Sequence, residues 1–178
     1  MGVLVAGGLT GLLNQSSAQM VDGSLKFDSG SSDHLIRTPS SAGNRKTWTW
    51  SGWVKRSKIE RCILFCGSAA GGNTIGTVLR FSYQDQQVEL YDYVGGYTFQ
   101  TYSEAFLRDP SSWYHIVVAF DTTQSTDTDR VKFYINGALQ TNATSGYNGA
   151  STYPTQNADY GVSNNTPQLL GLGWFADA

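Results

Sequence analysis

A chain of 178 residues has the size of one domain, at roughly 100–200 residues per domain. Hydrophobic residues make up 40%, aromatics 13% and charged residues only 15%, which excludes an intrinsically disordered chain and leaves a surface that is polar but mostly uncharged. The net charge of −2 excludes the basic footprint of a phosphate-backbone binder, and no run approaches the ~18 apolar residues of a membrane-spanning helix, so neither nucleic acid nor a membrane span is expected.

Residues 1–23 form an apolar, glycine-rich arm. Val3, Leu4, Val5, Leu9, Leu12 and Leu13 carry its hydrophobic character, and a polar stretch, 14–19, follows. The first basic residue is Lys26, so the arm lacks the positive start of a signal peptide, and Ala6 stands where a myristoylation pattern wants Ser or Thr. An apolar arm needs a surface, either its own domain or a partner protein, which makes these six residues the docking candidates.

From residue 24 onward short strands alternate with turn chemistry. Ser24–Phe27 and His34–Arg37 flank a Gly-Ser-Ser-Asp turn. In 47–54 the period of two puts Trp48, Trp50, Gly52 and Val54 on one face and Trp53 on the other, so the sheet is covered on one side and partly on the other. Further strands are expected at 61–66, 76–83, 87–94 and 97–102. Residues 113–120 are apolar on both faces and read as a central strand. Its partner, 130–135, turns Val131, Phe133 and Ile135 inward, and the 121–129 connection between them is polar. Asn136-Gly137 predicts a tight hairpin into 138–141. The stretch 142–166 reads as a long surface excursion ending in a strand near 160–162, and 168–175 as an apolar strand close to the terminus.

Cys62 and Cys66 fall on one predicted strand, about 13 Å apart if extended, beyond the ~7 Å reach of a disulfide. The expectation is two thiols on one strand face acting as small buried hydrophobes. His34 and His115 show no metal-ligand spacing with them.

Ten or more short strands without helical periodicity imply an all-β fold, an antiparallel two-sheet jelly-roll sandwich over 24–178. The order of Ser24-Leu25-Lys26-Phe27-Asp28, Trp48-Thr49-Trp50-Ser51-Gly52-Trp53-Val54-Lys55, Ile63-Leu64-Phe65-Cys66-Gly67, the Trp113–Asp121 run and Phe133-Tyr134-Ile135-Asn136-Gly137 resembles the concanavalin A-like lectin/glucanase superfamily, in its laminin G-like branch. The resemblance covers about residues 24–141. It implies a further closing strand after Leu170-Gly171-Leu172-Gly173, which this sequence does not contain, so a sandwich lacking its last strand is expected. The phrases 37–56 and 112–124, with the short arm ahead of them, are similar to laminin G-like domains of bacteriophage virion appendage proteins. That likeness implies a tail or head fibre protein exposed on the virion, with other virion proteins and further copies of itself as partners.

The superfamily also hosts glucanases, whose chemistry needs two carboxylates about 5–5.5 Å apart on one strand face. Glu89 and Asp92 fall on opposite faces, Asp127 and Asp129 lie in a loop without a glutamate, and Glu60 and Glu104 are isolated. The expectation is therefore a non-enzymatic protein, with glycoside hydrolysis the remote alternative. His115, inside a strand, reads as a hydrogen-bonded structural imidazole. Sugars offer apolar ring faces to aromatics and hydroxyl pairs to Asp and Asn, which makes Tyr91, Asp92, Tyr93, Tyr97, Tyr102, Tyr147, Asn148 and Tyr153 the glycan-binding candidates. A host-surface glycan is the expected ligand, and a free carbohydrate-binding module the alternative role. No cofactor is expected; Asp121, Asp127 and Asp129 are the weak candidates for calcium, as hard oxygen ligands in one loop.

Overall fold

The computed structural model describes residues 23–28, 33–67, 76–82, 86–144, 146 and 149–171. Alternation of apolar and polar side chains builds ten strands among them: β1 (Leu35–Arg37), β2 (Thr47–Lys55), β3 (Cys62–Gly67), β4 (Gly76–Phe81), β5 (Gln87–Tyr93), β6 (Tyr97–Phe106), β7 (Trp113–Asp121), β8 (Val131–Ile135), β9 (Ala138–Gln140) and β10 (Gln168–Leu170). They form a six-stranded sheet, β1-β10-β3-β4-β5-β6, and a four-stranded sheet, β2-β7-β8-β9, antiparallel throughout. The fold is thus the all-β two-sheet sandwich its period-two patterning predicts.

Between the sheets lies the main core: Leu64, Leu79, Phe81, Val88, Leu90 and Phe99 from one, Ile116, Val118, Phe120, Val131, Phe133 and Ile135 from the other. β7 is central, as its two apolar faces require, and Trp48 stacks on Phe120 with ring centroids 4.7 Å apart. The β8–β9 turn uses Asn136 at φ 51° and Gly137 at φ 82°, the pair of left-handed residues that matches a two-residue hairpin to strand twist.

Three expectations are corrected. Residues 24–27 form no strand; the Phe27 ring instead covers Gly171, where an added Cβ would come within 2.5 Å of it. Residues 160–162 form no strand either. Tyr160 inserts its ring into the core, edge-on to Phe99 at 5.0 Å and Phe120 at 5.6 Å, while its main-chain carbonyl accepts from Arg45 Nε at 2.7 Å. The long excursion is therefore anchored to the sandwich as well as running over it. Lastly, Cys62 and Cys66 do not share a face. The register shift between Ile63 and Phe65 inverts the alternation, so Cys62 packs against the inter-sheet core and Cys66 joins Ile63, Val78, Tyr91 and Leu169 on the outer face. Both are free thiols.

The excursion follows the edge of β6, with bridges Ser103↔Asn142 and Gln100↔Thr152, and then crosses to β3 and β4. There two glycines make the crossing possible: a Cβ on Gly67 would lie 2.6 Å from the Gly161 carbonyl oxygen, and one on Gly161 2.5 Å from the Gly67 oxygen. At the same point Gly161 N donates to Thr77 Oγ1 at 2.9 Å.

Candidate functional site

The outer face of the six-stranded sheet carries a buried charge that leads to exposed aromatics. Strand pairing sets Arg80 of β4 opposite Glu89 of β5, with Gln100 on neighbouring β6. Arg80 donates to Glu89 through Nε to Oε2 at 2.6 Å and Nη2 to Oε1 at 3.1 Å, and Gln100 Nε2 donates to the same Oε1 at 2.5 Å. Arg80 and Glu89 are buried. Burial alone would pull the Arg80 pKa down, but the Glu89 charge and hydrogen bonds hold it above the ordinary guanidinium value.

Two residues along β5 the Arg80 guanidinium lies over the Tyr91 ring at 4.5 Å. Tyr91 meets Tyr97 edge-to-face at 5.4 Å, and Tyr97 meets Tyr93 in the same way at 5.1 Å. Burial pushes the Tyr91 phenol pKa well up, so it stays a neutral hydroxyl. Exposure rises along this strip: Tyr91 is buried, Tyr93 half-buried, and Tyr97 is 47% exposed beside the turn of Val94-Gly95-Gly96. What reaches solvent is aromatic, while the carboxylate is sealed beneath.

The structure thus brings Tyr91, Tyr93 and Tyr97 together and withdraws two other candidates. Asp92 points to the opposite, inter-sheet face, where Thr77 Oγ1 and Thr98 Oγ1 donate to its two carboxylate oxygens at 3.0 and 2.8 Å. Tyr102 has no exposed surface; its ring lies under the excursion against Gly146, where an added Cβ would collide with it. Tyr91 contributes an edge and support more than an open ring face. Tyr153 is half-buried next to the Gln100–Thr152 bridge. Tyr147, Asn148 and the six docking residues of the arm lie outside the described residues.

The three aspartates weighed for calcium each have a local partner. Asp121 accepts from Thr123 N at 2.9 Å, Thr123 Oγ1 at 2.6 Å and Gln124 Nε2 at 2.6 Å; Asp127 accepts from Thr128 N at 2.7 Å; Asp129 pairs with Lys132 at 3.1 Å. Among the described residues no three His, Cys, Asp or Glu side chains gather as a metal-binding group, and no helix is long and apolar enough to cross a membrane.

The other sheet has its own outward aromatic pair, which sequence reasoning did not assemble. Trp53, 65% exposed, stacks on His115 with centroids 5.0 Å apart, and Ser51 Oγ lies 3.1 Å from His115 Nε2. This is the hydrogen-bonded imidazole expected at 115. The odd parity of Trp53 within β2 was the legible signal; that His115 would stand directly across from it required the β2–β7 register.

Two antiparallel sheets packed over one aromatic-rich core, with an aromatic strip on an outer face, define a lectin-like β-sandwich. The chain matches the laminin G family model described as Concanavalin A-like lectin/glucanases superfamily over residues 28–172, and it belongs to that family. No curated protein matches the chain.

Proposed function

We infer that this chain is a non-enzymatic, lectin-like module of a virion appendage, held on the particle through residues 1–23 and presenting its sandwich to a glycan of the host surface. The observation that carries the reading is the division of labour along the β4–β5–β6 strip. Glu89 has its carboxylate occupied by Arg80 and Gln100, whereas Tyr97 and Tyr93 offer aromatic surface to solvent. A sugar ring stacks its C–H face on such a tyrosine and needs no ionised group. Hydrolysis would instead need a second carboxylate facing Glu89, and Asp92 is turned to the other face. The assignment to a virion rests on the likeness of 37–56 and 112–124 to phage appendage domains.

The test has two parts. The purified chain is screened on a bacterial glycan array, with Tyr97→Ala as the control; binding that falls tenfold or more in the variant supports the site, and undiminished binding removes it. Deletion of residues 1–23 is then expected to abolish incorporation into particles while the sandwich stays folded. Glycan binding without any particle association would instead favour a free carbohydrate-binding module.

A further inference from the structure

Among the described residues, the long edge strand of the four-stranded sheet is open: β2 pairs with β7 alone, and its register there runs from Thr47↔Asp121 to Lys55↔Trp113. Two hydrogen bonds fix which way its backbone faces. His115 O accepts from Asn136 N at 2.8 Å and Asp121 N donates to Arg130 O at 2.9 Å, so the odd residues of β7 spend their backbone groups on the far side, away from β2. Their β2 partners are the odd residues too, and in an antiparallel ladder these turn N–H and C=O outward. Thr47 N is taken by Asn44 Oδ1 at 3.0 Å. The backbone groups of Thr49, Ser51 and Trp53 have no partner among the described residues.

The side chains at this edge are equally unfinished. Trp48, Trp50, Gly52 and Val54 face the core yet are only half-buried, and Thr49, Ser51, Trp53 and Lys55 are exposed. The edge carries none of the usual protections: no proline, no bulge, and one charge, Lys55, at its end. Natural edges of this length are covered or blunted.

We propose that β2 pairs antiparallel with β2 of a second copy of this chain, about a two-fold axis through Ser51, joining the two four-stranded sheets into one of eight. Three features select a second copy. The outward-facing groups at 49, 51 and 53 are symmetric about Ser51, so each finds its complement in an identical strand: Ser51 with Ser51, Thr49 with Trp53. Within Thr47–Lys55 the arrangement sets Lys55, the one charged residue of the strand, opposite neutral Thr47, so no two like charges of β2 stand directly across from each other. A nine-residue strand is about 30 Å long, and with about 10 Å of side chain on each face it covers roughly 600 Å² per copy, reaching the ~1,200 Å² total of a specific interface. The pairing also brings the half-buried Trp50 rings together across the axis on the inner face.

The experiment is sedimentation of the purified chain over a range of concentrations, with hydrogen exchange read at Thr49, Ser51 and Trp53. The expected result is a dimer whose three amides are protected. Ser51→Lys places two lysines opposite each other on the axis, and Ser51→Glu two carboxylates; each variant alone is expected to be monomeric, and their mixture to recover the dimer. Thr49→Pro removes an N–H that β7 does not use, and is expected to abolish the dimer while leaving the thermal transition in place. A chain that stays monomeric at millimolar concentration, or a dimer that survives all three substitutions, overturns the proposal. So does a monomer with protected amides at 49, 51 and 53, because the edge would then be covered by the chain itself.

Discussion

Arg80 meets Glu89 with two nitrogens of its guanidinium, Nε at 2.6 Å from one carboxylate oxygen and Nη2 at 3.1 Å from the other, on a sheet face where both side chains are buried. A bidentate pair in that setting orients as much as it stabilises, because the desolvation of both ions offsets most of their attraction. Here it fixes the guanidinium over Tyr91 and so sets the first ring of the tyrosine strip.

Breaking the pair from one side is expected to be costly. Glu89→Leu leaves Arg80 charged in a buried site and should destabilise by about 3–5 kcal/mol, while Arg80→Met combined with Glu89→Leu should cost less than either change alone. Urea unfolding of the two single variants and the double variant checks this. Additive losses would show that the two side chains act independently.

The close approach of Gly67 and Gly161 gives a second expectation. Alanine at either position drives a Cβ into a carbonyl oxygen of the other segment at 2.5–2.6 Å, and backbone cannot move aside as a side chain can. Gly67→Ala and Gly161→Ala should each destabilise by about 1–3 kcal/mol, as overpacking does. They should also expose the Gly161 amide to exchange by pulling it from Thr77 Oγ1. Gly96→Ala, where nothing lies within 4 Å, is the control.

The thiols should be silent in the folded protein. Burial raises the Cys66 pKa to about 12 and the Cys62 pKa to about 11, the latter against a partial opposing pull from Arg56. Thiolate, the reactive form, is then scarce at neutral pH. Iodoacetamide at pH 8 is expected to label neither cysteine in the native chain and both in urea. Rapid labelling of native Cys62 would mean that its environment opens.

Acid should weaken one surface turn. The hydroxyls of Ser111 and Ser112 and the Ser111 N–H donate to the Asp109 carboxylate and hold its pKa down at about 2, against 3.8 ordinarily. A folded-state value below the unfolded one makes the contribution complete above about pH 4 and lost as pH falls through about 2. Asp121, lowered by Thr123 and Gln124, acts in the same direction. In melts at successive pH values, Asp109→Ala should lie below the unaltered chain at pH 6, and the gap should close by pH 2. A gap independent of pH would assign the loss to packing.

Much of the site was legible because strands have a period of two. The opposite facing of Glu89 and Asp92 follows from their spacing of three, and the meeting of Tyr91, Tyr93 and Tyr97 from a tight turn at Gly95-Gly96. The same rule misled where the chain departs from it. The irregularity between Ile63 and Phe65 reversed Cys66, and tyrosines read as one cluster separated once Tyr102 was covered by the excursion near Gly146.

By itself the sequence determined the sandwich, the central place of β7, the Asn136-Gly137 hairpin and the parity of Trp53, since alternation and turn chemistry are local properties of neighbouring residues. Only the tertiary structure decided which strand stands beside which, and hence that Arg80 neutralises Glu89, that Trp53 lies on His115, and that Tyr160 enters the core from a stretch that reads as surface. Those pairings join positions from nine to about sixty residues apart, and they are settled by packing of the whole core, not by any local preference of the chain.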